Sequence, residues 1–382
     1  MADSLVNVES VGSYFETLSD PRHERNRKHL LGDIIVLAVC GIICGCDGPT
    51  AIHRFAVERL EWLTQFLLLP NGIPSRDCIR RLLMLLEPEA FQRCFTQWIT
   101  DALPTDGQAP LRLVAIDGKT CRRSHDAAKG LGALHIVSAW ASEEGMALGQ
   151  VATEEKSNEI TAIPQLLKQI ALPGTLITID AMGCQKEIAR DIVKGQGHFV
   201  IAVKDNQPTL REFIESHFQD HLERDLEDLR YRYHETSETS HGRLDDRSYY
   251  VTKIPADFPL KKIWPEVKAL GYALRMTRKA DGTETSEVRY YILSRYLGAK
   301  RFGEAVRGHW GIESMHWVLD VNFREDDSRT RERTLGNNLS WLRRFAIGLL
   351  KRHPLKDSLR GKMIRCLMNP TFLTEVLTQT RV

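Results

Sequence analysis

The sequence predicts an α/β protein with a mixed sheet, preceded by an all-helical domain and interrupted by a β-rich insertion. Three observations predict it. Between residues 111 and 204, apolar runs of strand length alternate with amphipathic helices in the order three strands, helix, strand, helix, strand. Ahead of that block, residues 10–105 carry helical periodicity. Behind it, residues 231–295 hold four short strand-like pieces rich in Tyr, Val and Thr. At 382 residues the chain exceeds one compact core and predicts two or three units.

Taken in order, Leu30 to Cys46 reads as a nearly all-apolar helix stopped by CGCDGPT. Ala51 to Leu69 reads as an amphipathic helix ending at LPNGIP. Ser75 is an N-cap for Arg76 to Leu86, whose Ile79, Leu82, Leu83 and Leu86 share one face. A helix from Pro88 to Ala102 and the loop LPTDGQAP close this part. Strands follow at 111–116, 134–142 and 146–153, then a helix over 158–170, a strand over 175–179, a helix over 185–194 and a strand over 197–204. A charged helix runs from Pro208 to about Arg230. After the insertion, helix returns at Ala299 and continues to about Asn322, followed by a basic helical tail. The implied divisions are 1–105, 106–207, 208–297 and 298–382.

The charges nearly cancel, 52 basic against 50 acidic, so whole-molecule charge names no partner. Their placement is more informative. Residues 322–382 hold thirteen Lys/Arg against six Asp/Glu, which points to a polyanion or to a solvated helix face. The acidic start, MADSLVNVESVGSYFETLSD, lacks the basic and apolar regions of a signal peptide. The longest apolar run, after Asp33, is too short to span a bilayer. Eight cysteines without a paired framework indicate a reducing cytoplasm, and Cys40, Cys44 and Cys46 read as buried thiols rather than a zinc site.

Two acids occupy equivalent places. Asp117 ends one apolar strand in VAIDGKTCRRS, and Asp180 ends another in ITIDAMGCQKE. A carboxylate at the end of a buried strand is costly unless it is paired, caps a turn or coordinates something. Ligands of open α/β sheets gather at the carboxyl ends of strands, so the two acids are placed to share a site. Hard divalent cations take oxygen ligands, and holding two of them calls for a third acid. Glu313 is the candidate, at the edge of the stripe Ile312, Met315 and Leu319 in RGHWGIESMHWVLDVNF, with His309, His316, Trp317 and Asp320 on the same side.

These segments resemble the DDE transposases of the ISAs-type insertion-sequence family, which includes the H-repeat-associated proteins. The matching stretches are VAIDGKTCRRS, TIDAMGCQKEIA, FVIAVKDNQPTL, HGRLDDR and RGHWGIESMHWVLDVNFREDDSRTR, with GIPSRDCIRR in the helical part. The resemblance spans roughly residues 10–370. It implies a ribonuclease-H-like core with the insertion between the second and third acids, and Asp117, Asp180 and Glu313 as the metal-binding triad. It also implies Mg²⁺, with Mn²⁺ as a substitute, for cleavage and strand transfer. The implied partners are double-stranded DNA, both terminal inverted repeats and target, and a second copy of the chain when two ends are paired. Related transposases often carry Tyr and Arg seven and four residues before the Glu, and Lys seven after it. Here Val306, His309 and Asp320 stand there.

Further residues read either as DNA contacts or as exposed loop charges. Lys119, Arg122 and Arg123 follow the first Asp; Lys204, Asn206 and Gln207 end the fifth strand. Arg243 and Arg247 lie in the insertion, and Arg307 and His309 on the Glu313 helix. Arg76, Arg80 and Arg81 make the Ser75 helix a candidate groove reader or a solvated face. Trp264 reads as a core residue before a base-stacking one. Asp320 lies two turns beyond Glu313, about 10 Å along the axis. It is expected to pair with a base such as Arg324 rather than to bind metal. The rivals to an active transposase are another ribonuclease-H-like nuclease and an inactive DNA-binding relic.

Overall fold

All nine described strands join one sheet in the computed structural model, which describes residues 12–102, 111–153, 158–224, 226–227, 229–240 and 242–378. The loop LPTDGQAP, the first eleven residues and Arg381 lie outside that set. The strands are β1 (Arg112–Cys121), β2 (Leu134–Ala141), β3 (Met146–Thr153), β4 (Thr175–Ile179) and β5 (His198–Val203), then β6 (Tyr231–Ser240), β7 (Arg243–Lys253), β8 (Ala269–Lys279) and β9 (Glu284–Leu293). Their order across the sheet is β3-β2-β1-β4-β5-β9-β8-β7-β6. β1, β4 and β5 run parallel; β2 and β3 form an antiparallel meander on one side. The insertion does not fold apart from the core. β9 pairs antiparallel with β5, and β8, β7 and β6 continue the same ladder outward.

Helices α1 (Leu31–Ile43), α2 (Pro49–Glu58), α3 (Leu60–Leu63), α4 (Arg76–Leu85) and α5 (Pro88–Ala102) precede the sheet. The helix expected over 51–69 is broken at Arg59, which leaves the helical backbone region. Ser75 caps α4 as expected, its Oγ accepting from the Cys78 amide at 3.2 Å. α6 (Glu159–Gln169), α7 (Lys186–Lys194) and α8 (Pro208–Leu222) link strands, and α8 ends well before Arg230. α9 (Ala299–Val321) carries Glu313. α10 (Arg333–Arg352), α11 (Leu359–Met368) and α12 (Pro370–Thr378) complete the chain.

The basic tail is a structural element first. α10 is buried along nearly its whole length, because the N-terminal helices pack on one flank and β2 and β3 on the other. Asn338 donates to the carbonyls of Leu83 and Leu86 at 2.9 Å each, closing the end of α4, and Phe345 packs on Phe95 and Trp98. Arg343 and Arg344 reach buried Glu325 instead of solvent. The charge excess read as a surface for a polyanion is thus partly internal. Trp264 is buried, as are Cys40 and Cys44. Among the described residues no helix is long and apolar enough to cross a membrane.

Candidate active site

The site forms where β4 stops short of β1. Pairing between them ends at Ile116 and Ile179, while β1 runs on against β2 to Cys121. Asp117 therefore sits in mid-strand rather than at a strand end, as the sequence suggested. The reason is that Lys119 and Cys121 are buried and keep β1 in register with Ile136 and Leu134. Asp180 follows β4 directly and caps the short turn Ala181–Gly183, its Oδ1 accepting from the amides of Met182 at 3.1 Å and Gly183 at 3.4 Å. Among the described residues no hydrogen bond reaches its other oxygen.

Along β1, Leu113, Asp117 and Lys119 face α9. The helix lies close because Gly308 has no side chain: a Cβ there would stand 2.2 Å from Leu113 Cδ2. This brings His316 Nδ1 to 3.6 Å from Asp117 Oδ2 and sets Glu313, exposed, on the wall of the cavity that Asp180 lines. Burial raises the Asp117 carboxyl, and the charges of Asp180, Glu159 and Glu313 raise it further, to about 7. Burial and Glu159 likewise push Asp180 up. Burial holds His309 down at about 4 and His316 at about 3, so both rings are neutral near pH 7.

Asp180, Glu313, Lys204 and His309 line one cavity of about 420 Å³. Arg211 and Arg289 line it too, and the sequence reading missed both. Arg289 carried a signal, a charge set between Val288 and Tyr290 in an otherwise apolar strand end. His309 Nδ1 is 3.1 Å from Thr178 Oγ1. Asn206 donates to the Ala181 carbonyl at 2.6 Å and Gln207 to that of Cys184 at 2.9 Å, so both brace the Asp180 turn. Arg247 and Arg307 line an adjacent cavity beside Trp310, where Glu238 pairs with both. Arg243 lies farther out on β7 and pairs with Asp245 at 3.4 Å. Arg76, Arg80 and Arg81 are exposed on α4 and line none of these cavities.

Lys119 is not a free cation. It is 6% exposed and meets Asp320 at 2.7 Å, Asp326 at 2.8 Å and Glu325 at 3.9 Å. Asp320 thus pairs with a base, but with Lys119 in place of Arg324, which pairs with Asp327. Arg122 is largely exposed yet lies 3.2 Å from Asp326, and Arg123 lies 3.4 Å from Asp327.

The acids suit a hard divalent cation by chemistry, since they offer oxygen donors only and repel one another. Among the described residues no Lys or Arg forms an ion pair with Asp117, Asp180 or Glu313. Nor, among those residues, do three His, Cys, Asp or Glu side chains stand close enough to hold one ion as oriented. Ligation requires the carboxyls to turn inward.

The family described as "Transposase DDE domain" matches residues 108–347, and the one described as "DDE_Tnp_1-associated" matches residues 13–99. The chain is 39% identical to "Putative transposase YncI" of Escherichia coli O157:H7, covering 97% of this chain and 95% of that protein. It is 36% identical to "H repeat-associated putative transposase YhhI" of Escherichia coli strain K12, covering 97% and 98%. Among solved structures, a piggyBac transposase synaptic complex with hairpin DNA aligns at a TM-score of 0.42 and 10% identity, over 98% of this chain and 82% of that one.

Proposed function

This chain belongs to the DDE transposase family, which takes in H-repeat-associated transposases, and from that premise we propose that it cuts DNA at the ends of an insertion element. The freed 3′-hydroxyl then attacks target DNA. The observation that supports this reading best is that Asp117 and Asp180 stand on neighbouring strands where β4 ends beside β1, with Glu313 on the wall of the adjoining cavity and no basic ion-pair partner for any of them among the described residues. Asp117, Asp180 and Glu313 would hold Mg²⁺, which when bound activates the attacking oxygen and offsets charge on the leaving one.

The chain's own groups do the rest. Lys204, Arg211 and Arg289 surround the cavity and offset the charge of a phosphodiester drawn toward the acids. His309, neutral and tied to Thr178, contributes a hydrogen bond rather than a charge. Asn206 and Gln207 keep the Asp180 turn from shifting. Catalysis on this reading is positioning and electrostatics, with no protein nucleophile. The helical segment 1–105 would supply part of the recognition of the element's ends through Arg76, Arg80 and Arg81. The site would act in the cytoplasm, as a homodimer on paired ends.

The test is cleavage and strand transfer on a DNA carrying the element's terminal repeats, with Mg²⁺ or EDTA. Asp117→Asn, Asp180→Asn and Glu313→Gln should each lose about a thousandfold or more in rate, on the order of 4 kcal/mol, while still binding DNA. Near-normal cutting by any one of them would remove that residue from the triad.

A further inference from the structure

On the other face of the sheet, a fourth acid approaches the same opening. Glu159 begins α6 and is 4% exposed. Its Oε1 lies 2.7 Å from His135 Nε2, and the ring's Nδ1 lies 2.8 Å from Thr120 Oγ1. In the tautomer this network assigns, Nε2 donates to Glu159 and Nδ1 accepts the Thr120 hydroxyl proton. The imidazole thus fixes the carboxyl in place, and among the described residues no Lys or Arg pairs with it.

Where it is aimed depends on Gly118. A Cβ at that position would stand 2.4 Å from Glu159 Oε1 and 2.8 Å from its Cδ. Only glycine lets the carboxyl lie against the β1 backbone immediately beside Asp117. A buried, uncompensated carboxylate is costly, and bringing it toward two others costs more. A sequence that needed only a His–Glu pair could have placed it away from the aspartates.

We propose that Glu159 is a fourth carboxylate of the metal site, entering across Gly118 and held in aim by His135. This rests on the reading of Asp117, Asp180 and Glu313 as metal-binding acids. Glu313 lies on α9 on one face of the sheet and Glu159 on α6 on the other, so the Asp117–Asp180 pair has an acid on each side. Four acids balance the charge of two divalent cations, which three do not.

The experiment uses the full chain without DNA. Mn²⁺ binding is measured by calorimetry and by electron paramagnetic resonance for the wild type and Glu159→Gln, which keeps an acceptor for His135 and nearly the same volume. We expect the variant to keep its thermal midpoint in EDTA and to bind Mn²⁺ about 10–100-fold more weakly, or with one ion fewer. Unchanged affinity and stoichiometry would reduce Glu159 to a structural partner of His135. If Glu159→Gln does not fold, the wild type still answers. Fe²⁺ with ascorbate and peroxide cleaves a chain beside the bound metal, so cuts near residues 117, 180 and 159 support the proposal. Cuts at the first two alone overturn it. A wild type that binds no divalent ion would instead sink the broader metal reading.

Discussion

Lys119 shows how one residue can be misread from its neighbours in sequence. Following Asp117 by two, it looked free to neutralise phosphate; it is instead the buried hub of Asp320, Asp326 and Glu325. Removing the hub leaves three carboxylates facing one another, so Lys119→Met should cost about 3–5 kcal/mol by denaturant unfolding. Asp320→Asn keeps a hydrogen-bond acceptor and should cost about 1 kcal/mol, with an unchanged Mg²⁺ requirement for cutting. Equal losses would mean the hub carries no charge balance. Glu325 gives the pH signature. Burial alone would raise its carboxyl, but Arg344, Arg343, Lys119 and the Ser340 hydroxyl hold it at about 2, against an ordinary 4.5. Its folded value is depressed, so its stabilisation is complete above about 4.5 and fades as pH falls toward about 2. Unfolding followed from pH 6 down to 2 should show that loss in the wild type and a shallower one in Glu325→Gln. Identical slopes would place the acid sensitivity elsewhere.

At the scale of elements, period and caps were legible because they are local. Ser75, the β3 and β4 limits and the α5 limits follow from side-chain chemistry within a few residues. What the sequence hid is set by partners distant in the chain. β1 outlasts its apolar run because β2 continues to pair with it, and α10 conceals arginines because Glu325 and the N-terminal helices surround it. Glu159 carried no strand-end marker at all, since its place depends on the absence of a side chain at Gly118. The seat of α9 is the most exacting of these fits. Gly308→Ala would push the helix from Leu113 and should cost about 1–3 kcal/mol. Cleavage should fall further than stability alone explains, because Glu313 shifts with the helix. A variant that cuts normally at a temperature where it is fully folded would show that the seat tolerates the methyl group.

For the whole molecule, the core is continuous from α1 through the sheet to α12, so the helical part and the tail stand or fall together. This sorts the tail's charges into two kinds. Arg343→Met and Arg344→Met should lower the unfolding midpoint and leave the salt dependence of DNA binding unchanged. Neutralising exposed Lys356, Arg360 and Arg365 should leave folding intact and flatten that dependence by about one unit for each phosphate no longer neutralised. Binding measured across a range of salt concentrations distinguishes them, and a flattened slope in the Arg343 or Arg344 variants would contradict the burial assignment.

The unbroken ladder from β5 to β6 has a mechanical consequence. Neighbouring strands stand about 4.8 Å apart, so four steps set the outer edge of the insertion roughly 19 Å from the core strand beside the acids. No linker intervenes, and a hydrogen-bonded sheet twists far more readily than it stretches. The insertion therefore works as a fixed gauge rather than a tethered arm: whatever β6 touches is held at a set offset from β4, five strand steps or roughly 24 Å from the strand that ends at Asp180.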